Sequence, residues 1–265
     1  MNGLGTGRPL AGRGIAVTRP RGQAQALAAL IEAAGGKPIV FPLIEIAEAE
    51  DQAALAALID RLGEFDLAVF ISPSAVDKAL DMIRARRKLP ASLALAAVGA
   101  GTARALQRLG AGTVIVPPER FDSEALLDLP QLRDVAGKRV VIFRGEGGRE
   151  LLGDTLRARG ASVEYAQCYR RLRPEAGAGV LLDTLARGGL HAITLTSSEG
   201  ARNLLDMTDA KDRQALRRVP VFASHPRIAD AARELGFESV HVTGTGDEGL
   251  LRGLVEHFRD VNRKS

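Results

Sequence analysis

Short apolar runs, each closing on a polar or glycine-rich turn, alternate with stretches whose apolar positions recur at helical spacing. Ile15 to Thr18 is such a run and ends in Arg19-Pro20. Leu27, Leu30 and Ile31 then share one helical face, and Gly35-Gly36 ends that helix as a C-terminal glycine cap does. Pro38 to Phe41 predicts the next strand, and Pro42 to Ile46 continues extended; Pro42 suits a sheet edge or a passage between sheets, not a central ladder. Further on, the pattern predicts a helix over Gln52–Leu62, a strand over Leu67–Ile71, a helix to about Lys88 and a strand over Leu93–Val98. A helix to Leu109 with Gly110 as its cap follows, then a strand over Thr113–Val116 broken by Pro117-Pro118, and a helix opened by Asp122-Ser-Glu. Arg139 to Phe143 is a buried-type strand that leads through a glycine-rich loop into a helix stopped at Gly160. The strand after it ends in Tyr169-Arg-Arg. Leu172 to Pro174 reads as a linker. Beyond it come a helix near Leu181–Arg187, a strand over His191–Leu195 with a helix to Leu205, and a strand over Val219–Ala223 with a helix to Leu235 stopped by Gly236. A strand over Ser239–Thr243 and a last helix to about Phe258 complete the chain. Strands and helices of these lengths in alternation imply parallel sheets with right-handed crossovers.

The pattern repeats. Aligning the capping glycines Gly35 and Gly160 gives an offset of 125 (160 − 35), which also places Arg19 on Arg144, Val17 on Ile142 and Ser72 on Ser197; Gly110 falls on Gly236 within one residue of it. The expected fold is therefore α/β, built as two similar parallel-sheet domains. Each copy's first strand–helix–strand is followed by an extended segment too long for a tight turn. If both segments cross between lobes, residues 1–42 and 172–265 form one discontinuous domain and 46–166 the other. Residues 43–45 and 167–171 are then two linker strands beside a ligand cleft between the domains. Two consecutive domains divided near residue 130 satisfy the same repeat.

Composition narrows the chemistry. The 265 residues carry 36 Lys and Arg against 32 Asp and Glu, a net charge of +4, and a pI near 9.6. This mild excess suits a small anionic ligand in a basic cleft better than nucleic acid, which draws lysines and arginines onto one face. The densest basic run, Arg84 to Lys88, falls at a predicted helix C-terminus, where cations complement the dipole. One cysteine, Cys168, excludes a disulfide framework, and His191, His225, His241 and His257 lack metal-ligand spacing. No apolar run approaches the ~20 residues of a membrane span, and the N-terminus has no signal-peptide core. These features imply a cytoplasmic, metal-free protein with no membrane or nucleic-acid partner. Met1 to Gly14, rich in glycine, is expected to be loose.

Gly244-Thr-Gly246-Asp-Glu-Gly249 has the spacing of a dinucleotide fingerprint, yet no further strand or ribose-binding acid follows, and Asp247 and Glu248 would oppose phosphate. Asp247 reads as a first-turn helix acid. Ser72, Ser197 and Ser224 stand at strand ends, where they suit helix N-caps more readily than nucleophilic catalysis. Capping is compatible with a ligand anion on the remaining helix amides. Cys168 reads as a small buried apolar residue. Tyr169 is an amphipathic phenol on the segment that would cross the hinge, suited either to core packing with its hydroxyl satisfied or to a role at a site there.

Arg144-Gly-Glu-Gly-Gly-Arg-Glu, Leu156, Gly160-Ala, Val163 and Tyr169-Arg-Arg together resemble the uroporphyrinogen-III synthase family. So do Phe70-Ile-Ser-Pro-Ser74, Val98-Gly-Ala-Gly-Thr102-Ala, Leu195-Thr-Ser-Ser198 and Ser224-His-Pro-Arg-Ile-Ala229, which extends the likeness from Gly12 to Phe258. The resemblance implies two flavodoxin-like domains joined by a two-stranded linker. It implies a cyclising lyase of tetrapyrrole (heme) biosynthesis: linear hydroxymethylbilane loses water, ring D is inverted, and the macrocycle closes to uroporphyrinogen III. No cofactor is implied, and a monomer acting on a small molecule is expected. Carried onto this chain, it suggests Tyr169 as the acid for the departing hydroxyl. It places Arg19, Ser72, Ser74, Thr102, Arg144, Gly145, Ser197, Ser198, Ser224 and Arg227 around the substrate carboxylates. His225-Pro226-Arg227 departs from the Thr or Ser of other members; Pro226 has no amide to donate, so Arg227 would act there by charge. A non-catalytic two-lobed binder of an anionic metabolite is the alternative, and a regulator with a degenerate lobe of this kind a more distant one.

Overall fold

The computed structural model describes residues 8–108, 110–148 and 150–264. The first seven residues, the predicted helix end at Leu109 and Arg149 of the glycine-rich loop lie outside them. The elements run β1 (Gly14–Val17), α1 (Arg21–Ala33), β2 (Lys37–Val40), β3 (Glu45–Glu48), α2 (Gln52–Asp60), β4 (Leu67–Phe70), α3 (Pro73–Arg86), β5 (Ala94–Ala97) and α4 (Ala100–Arg108). They continue with β6 (Val114–Ile115), α5 (Ser123–Leu127), α6 (Pro130–Arg133), β7 (Arg139–Gly145), α7 (Leu151–Ala158), β8 (Ser162–Leu172), α8 (Gly179–Ala186) and β9 (Ala192–Leu195). The last are α9 (Ser198–Asp206), α10 (Ala210–Arg217), β10 (Val221–Ala223), α11 (Pro226–Glu234), β11 (Val240–Val242) and α12 (Gly246–Lys264).

Two compact units result, one holding the residues up to Glu45 together with Leu172 onward, the other Ile46–Arg171. The sheet of the first has the order β11-β10-β9-β1-β2, and that of the second β3-β8-β7-β4-β5-β6. Numbered from the strand that opens each repeat, both contain the flavodoxin-like order 2-1-3-4-5. In the second unit the chain enters at the third strand of that order. The repeat holds at the level of register. Gly14 pairs with Lys37 and Ile15 with Ala192 in the first unit; Arg139 pairs with Ser162 and Val140 with Leu67 in the second, all parallel and all 125 residues apart. The helix stops repeat as well. Gly35 and Gly160 share φ +87°, and the next residue donates to Ile31 O in one copy and Leu156 O in the other. At that backbone angle an added Cβ is disfavoured.

Pro38 lies in β2, the edge strand of its sheet, where a missing N–H costs nothing. The extended segment beyond Pro42 leaves one core for the other: Leu43 is buried with Leu195 and Leu204, while Ile46 packs beside Phe65 and Phe70. Asn203 Nδ2 fixes the first end by donating to Leu43 O at 2.8 Å. On the return, β8 stays paired with β7 as far as Tyr169, so residues 167–171 group with the second unit; β3 lies along its other side.

Several expectations are corrected. Leu10 is buried in the first unit and its amide donates to Ala34 O at 3.0 Å, so the segment before β1 is anchored from there onward. Helix α10 was not expected. Its sequence buries only Leu216, which leaves no apolar stripe to detect, although Asp209 caps it by accepting from Asp212 N at 3.0 Å. The basic run ends α3 as expected. Arg86 pairs with Asp60, and Arg87 donates to the Ile59 and Asp60 carbonyls. Among the described residues no helix is long and apolar enough to cross a membrane.

His241 stacks on Phe222 at 4.9 Å between centroids and meets the edge of His257 at 4.6 Å. Burial lowers both imidazoles below their ordinary value, helped by Arg233 at His241 and by the neighbouring His241 and Arg13 at His257; Asp260 opposes the shift at His257. The unfolded chain therefore binds more protons than the folded one just below pH ~6.5. The stabilisation is complete above that pH and is lost as pH falls toward the lowered folded values. The thermal midpoint of the first unit should drop between pH ~7 and ~5. In His241→Gln, melted in parallel, the drop should be smaller.

Candidate active site

In a sheet of this order, ligands bind beyond the C-terminal strand ends where the strand order reverses. In the second unit that reversal lies between β7 and β4, whose ends carry Gly145 and Ser72. In the first it lies between β1 and β9, whose ends lead to Arg19 and Ser197.

Ser72 has extended backbone and caps α3, its Oγ accepting from Ala75 N at 3.1 Å. Its other partner is the phenol of Tyr169, with Oγ and Oη 3.0 Å apart. Tyr169 is only 3% exposed, in the core that holds Phe70, Phe143 and Cys168. A register shift between Arg144 and Gly145 brings Gly145 opposite Tyr169, and Tyr169 O accepts from Glu146 N at 2.9 Å. The shift lets the consecutive residues Cys168 and Tyr169 both be buried, against the alternation of a regular strand. Tyr169 is thus packed in the core with its hydroxyl satisfied by Ser72.

Arg144 does not present an open cation. Its side chain is buried: Nη1 donates to Glu150 Oε1 at 2.9 Å, Nη2 donates to Gly147 O, and Cζ lies 4.7 Å over the Tyr165 ring. Arg157 covers the same ring at 5.1 Å. An added Cβ at Gly153 would meet the Tyr165 hydroxyl at 2.0 Å, so glycine there makes room for the phenol against α7. Burial, and then Glu150, push the Tyr165 phenol up; Tyr165 and the Arg144 guanidinium hold the Glu150 carboxyl below the usual range. This cluster braces the glycine-rich loop. Tyr165 and Gly153 were missed by motif reading, and Glu150, though within the motif that begins at Arg144, was given no role, because nothing local marks their meeting.

Arg19, the repeat partner of Arg144, is likewise engaged within its own unit, by Asp247 at 2.6 Å. Asp247 lies in the first turn of α12, as expected, and Gly249 in the same fingerprint-like stretch packs against the Gly244 backbone, where a Cβ would fall 2.2 Å from its carbonyl. Ser197 caps α9, accepting from Glu199 N at 3.1 Å and Gly200 N at 3.2 Å, with Ser198 next to it. Ser224 is not a cap. That role belongs to His225, whose Nδ1 accepts from Arg227 N at 3.2 Å, with Pro226 in the first turn and the Arg227 side chain exposed. Ser74 and Thr102 are both buried near the starts of α3 and α4, and a Cβ on Gly101 would stand 3.9 Å from Pro73, so these two loops adjoin.

The family model described as uroporphyrinogen-III synthase HemD matches residues 25–249. The chain belongs to the uroporphyrinogen-III synthase family. It is 36% identical over 243 residues to the uroporphyrinogen-III synthase of Salmonella typhimurium, covering 91% of this chain and 99% of that protein. It is 36% identical over 244 residues to that of Escherichia coli, with 91% and 99% covered. A crystal structure of a mutant uroporphyrinogen III synthase from Thermus thermophilus superposes with a TM-score of 0.62 at 24% identity, covering 96% of this chain and 100% of the other. That likeness extends to the fold. As a uroporphyrinogen-III synthase, the chain is a cyclising lyase of heme biosynthesis.

In this synthase the single thiol is placed for packing. Cys168 is fully buried, its Sγ donates to Ala166 O at 3.2 Å, and burial pushes it up to about 12. A thiol-selective reagent should therefore leave the native enzyme unlabelled at neutral pH and label it stoichiometrically in denaturant. Rapid labelling of the native protein would contradict this placement. Among the described residues no group of three His, Cys, Asp or Glu side chains is arranged to hold a metal.

Proposed function

We propose that the synthase binds hydroxymethylbilane at the strand-end loops and that Tyr169 donates the proton on which the hydroxyl leaves. The supporting observation is the Tyr169 phenol held 3.0 Å from the Ser72 hydroxyl beside the strand-order reversal. Transfer of the phenolic proton to the hydroxymethyl oxygen breaks the C–O bond, releases water and leaves a cationic azafulvene. Attack by the substituted carbon of ring D gives a spiro intermediate. Its fragmentation and reclosure invert the ring, and the proton lost as the pyrrole regains aromaticity restores the phenol. Electron-rich pyrroles perform most of this chemistry unaided, so the enzyme's larger contribution is to hold the bilane curled for inverted closure. Orientation of this kind is worth up to ~7–11 kcal/mol.

Substrate carboxylates are assigned to the loops at Ser74, Thr102, Ser197, Ser198 and Ser224, with Arg227 as the exposed cation. Arg19 and Arg144 are assigned to shaping their loops. Hydroxymethylbilane supplied to the enzyme should yield type III product well above the blank; only type I product at the blank rate would refute the reading. Tyr169→Phe should lower kcat about tenfold, less than the ~10²–10⁴ usual for a general acid, because this leaving group departs readily. Undiminished turnover would remove Tyr169 as the acid.

A further inference from the structure

We infer that Ser72 and Gly145 form a seat for Tyr169, Ser72 by donating its proton to the phenol oxygen and Gly145 by lacking a side chain where the ring lies. Both act as positioning residues, and the inference rests on the reading of Tyr169 as the acid. A hydroxyl has one proton and two lone pairs. The Ser72 Oγ already accepts from Ala75 N at 3.1 Å, which fixes one lone pair along the α3 axis. Across the 3.0 Å to the Tyr169 Oη either hydroxyl can donate, and in the proposed sense Ser72 does. With Tyr169 as acceptor in that bond, its own proton is left for a substrate oxygen. In the opposite sense the phenolic proton would be spent on Ser72 and withheld from the substrate.

Gly145 fixes the ring. A Cβ at that position would sit 2.7 Å from both Cε2 and Cζ of Tyr169 and 3.1 Å from its Oη. Such distances cannot be met without moving the ring, and the ring is buried within the core that also holds Phe143. The register shift at Arg144/Gly145 brings the two residues opposite each other. Glycine is thus required at the end of β7 because of the tyrosine on the neighbouring strand; its backbone angle is not in the left-handed region.

A double-mutant cycle separates positioning from helix capping. Ser72→Ala should lower kcat about three- to tenfold, the range of one lost hydrogen bond, with KM changed less than about twofold. In the Tyr169→Phe background the same substitution should change kcat by less than about 1.5-fold. Ser72→Thr, which keeps the hydroxyl, should recover most of the activity. Gly145→Ala should bring kcat down to the Tyr169→Phe level. An equal loss from Ser72→Ala in both backgrounds would reduce Ser72 to a cap and overturn the proposal.

A second readout does not depend on turnover. The chain has two tyrosines, Tyr165 and Tyr169, so in Tyr165→Phe the Raman tyrosine doublet reports Tyr169 alone. It should show an acceptor phenol that loses this character on Ser72→Ala. A donor-type or unchanged doublet would overturn the seat. Full turnover of Tyr169→Phe would instead remove the acid role and leave this spectral test standing.

Discussion

Phe143→Ala should destabilise the second unit by about 3–5 kcal/mol, the usual cost of deleting a fully buried aromatic. Phe143 has no exposed surface and stacks on Phe70 with ring centroids 4.6 Å apart and planes 6° from parallel. The two residues are register partners on adjacent parallel strands, so the stack bridges β4 and β7 at the strand-order reversal. Truncation removes the transfer energy of the ring, leaves a cavity between strands that cannot close over it, and forfeits the ~0.5–1.5 kcal/mol of the aromatic pair. Against a typical total of ~5–15 kcal/mol this is a large fraction. Tyr169 belongs to the same core, so type III product should fall with the folded fraction. The measurement is clean because the chain has no tryptophan and both tyrosines lie in the second unit; the near-ultraviolet tyrosine signal in urea therefore follows that unit. Phe143→Leu should cost less than half as much. An unchanged urea midpoint for Phe143→Ala would show that the strands repack around the void.

What the sequence made legible was whatever is written locally and twice. Gly35 and Gly160 are helix stops 125 residues apart, Gly110 and Gly236 fall within one residue of that offset, and the ladder registers reproduce 125 residue for residue. Apolar runs of strand length found the central strands because parallel strands covered on both faces leave no polar alternation to misread. Ser72 and Ser197 were visible as caps for the same local reason. Features that depend on which chain segments meet were not visible. An arginine beside glycines looks like an anion ligand; only the arrival of Tyr165 from β8 and Glu150 from the loop shows that Arg144 is enclosed. The shift at Gly145 breaks period-two reading in β8, so the juxtaposition of Gly145 and Tyr169 could not be counted from either end. At the β10 end a histidine took the cap that the preceding serine suggested, because Pro226 occupies the first helical position and His225 Nδ1 reaches the next amide.

Arg144→Ala should lower both stability and turnover, and the pairing of the two losses identifies what the residue does. The residue is 4% exposed, and one arm of its guanidinium donates to Glu150 while the other donates to Gly147 O; Cζ lies over the Tyr165 ring. Removing it opens a space beside Tyr165, worth about 2–3 kcal/mol, while the exposed Gly147 carbonyl regains water. The Glu150 carboxylate adds little, being exposed and free to solvate. The loop so released begins at Gly145, the residue against which the Tyr169 ring lies. The expected result is therefore a lower unfolding midpoint with kcat down tenfold or more and KM altered far less. Lysine should recover little, since one ammonium cannot reproduce a planar fork that serves two acceptors while stacking on a phenol. A residue that held a substrate carboxylate would respond in the opposite way: KM would rise, the unfolding midpoint would stay, and lysine would restore much of the binding because a point charge suffices. Steady-state kinetics and thermal melts of Arg144→Ala and Arg144→Lys, taken together, decide between brace and ligand, and a KM increase at an unchanged midpoint would return Arg144 to the substrate.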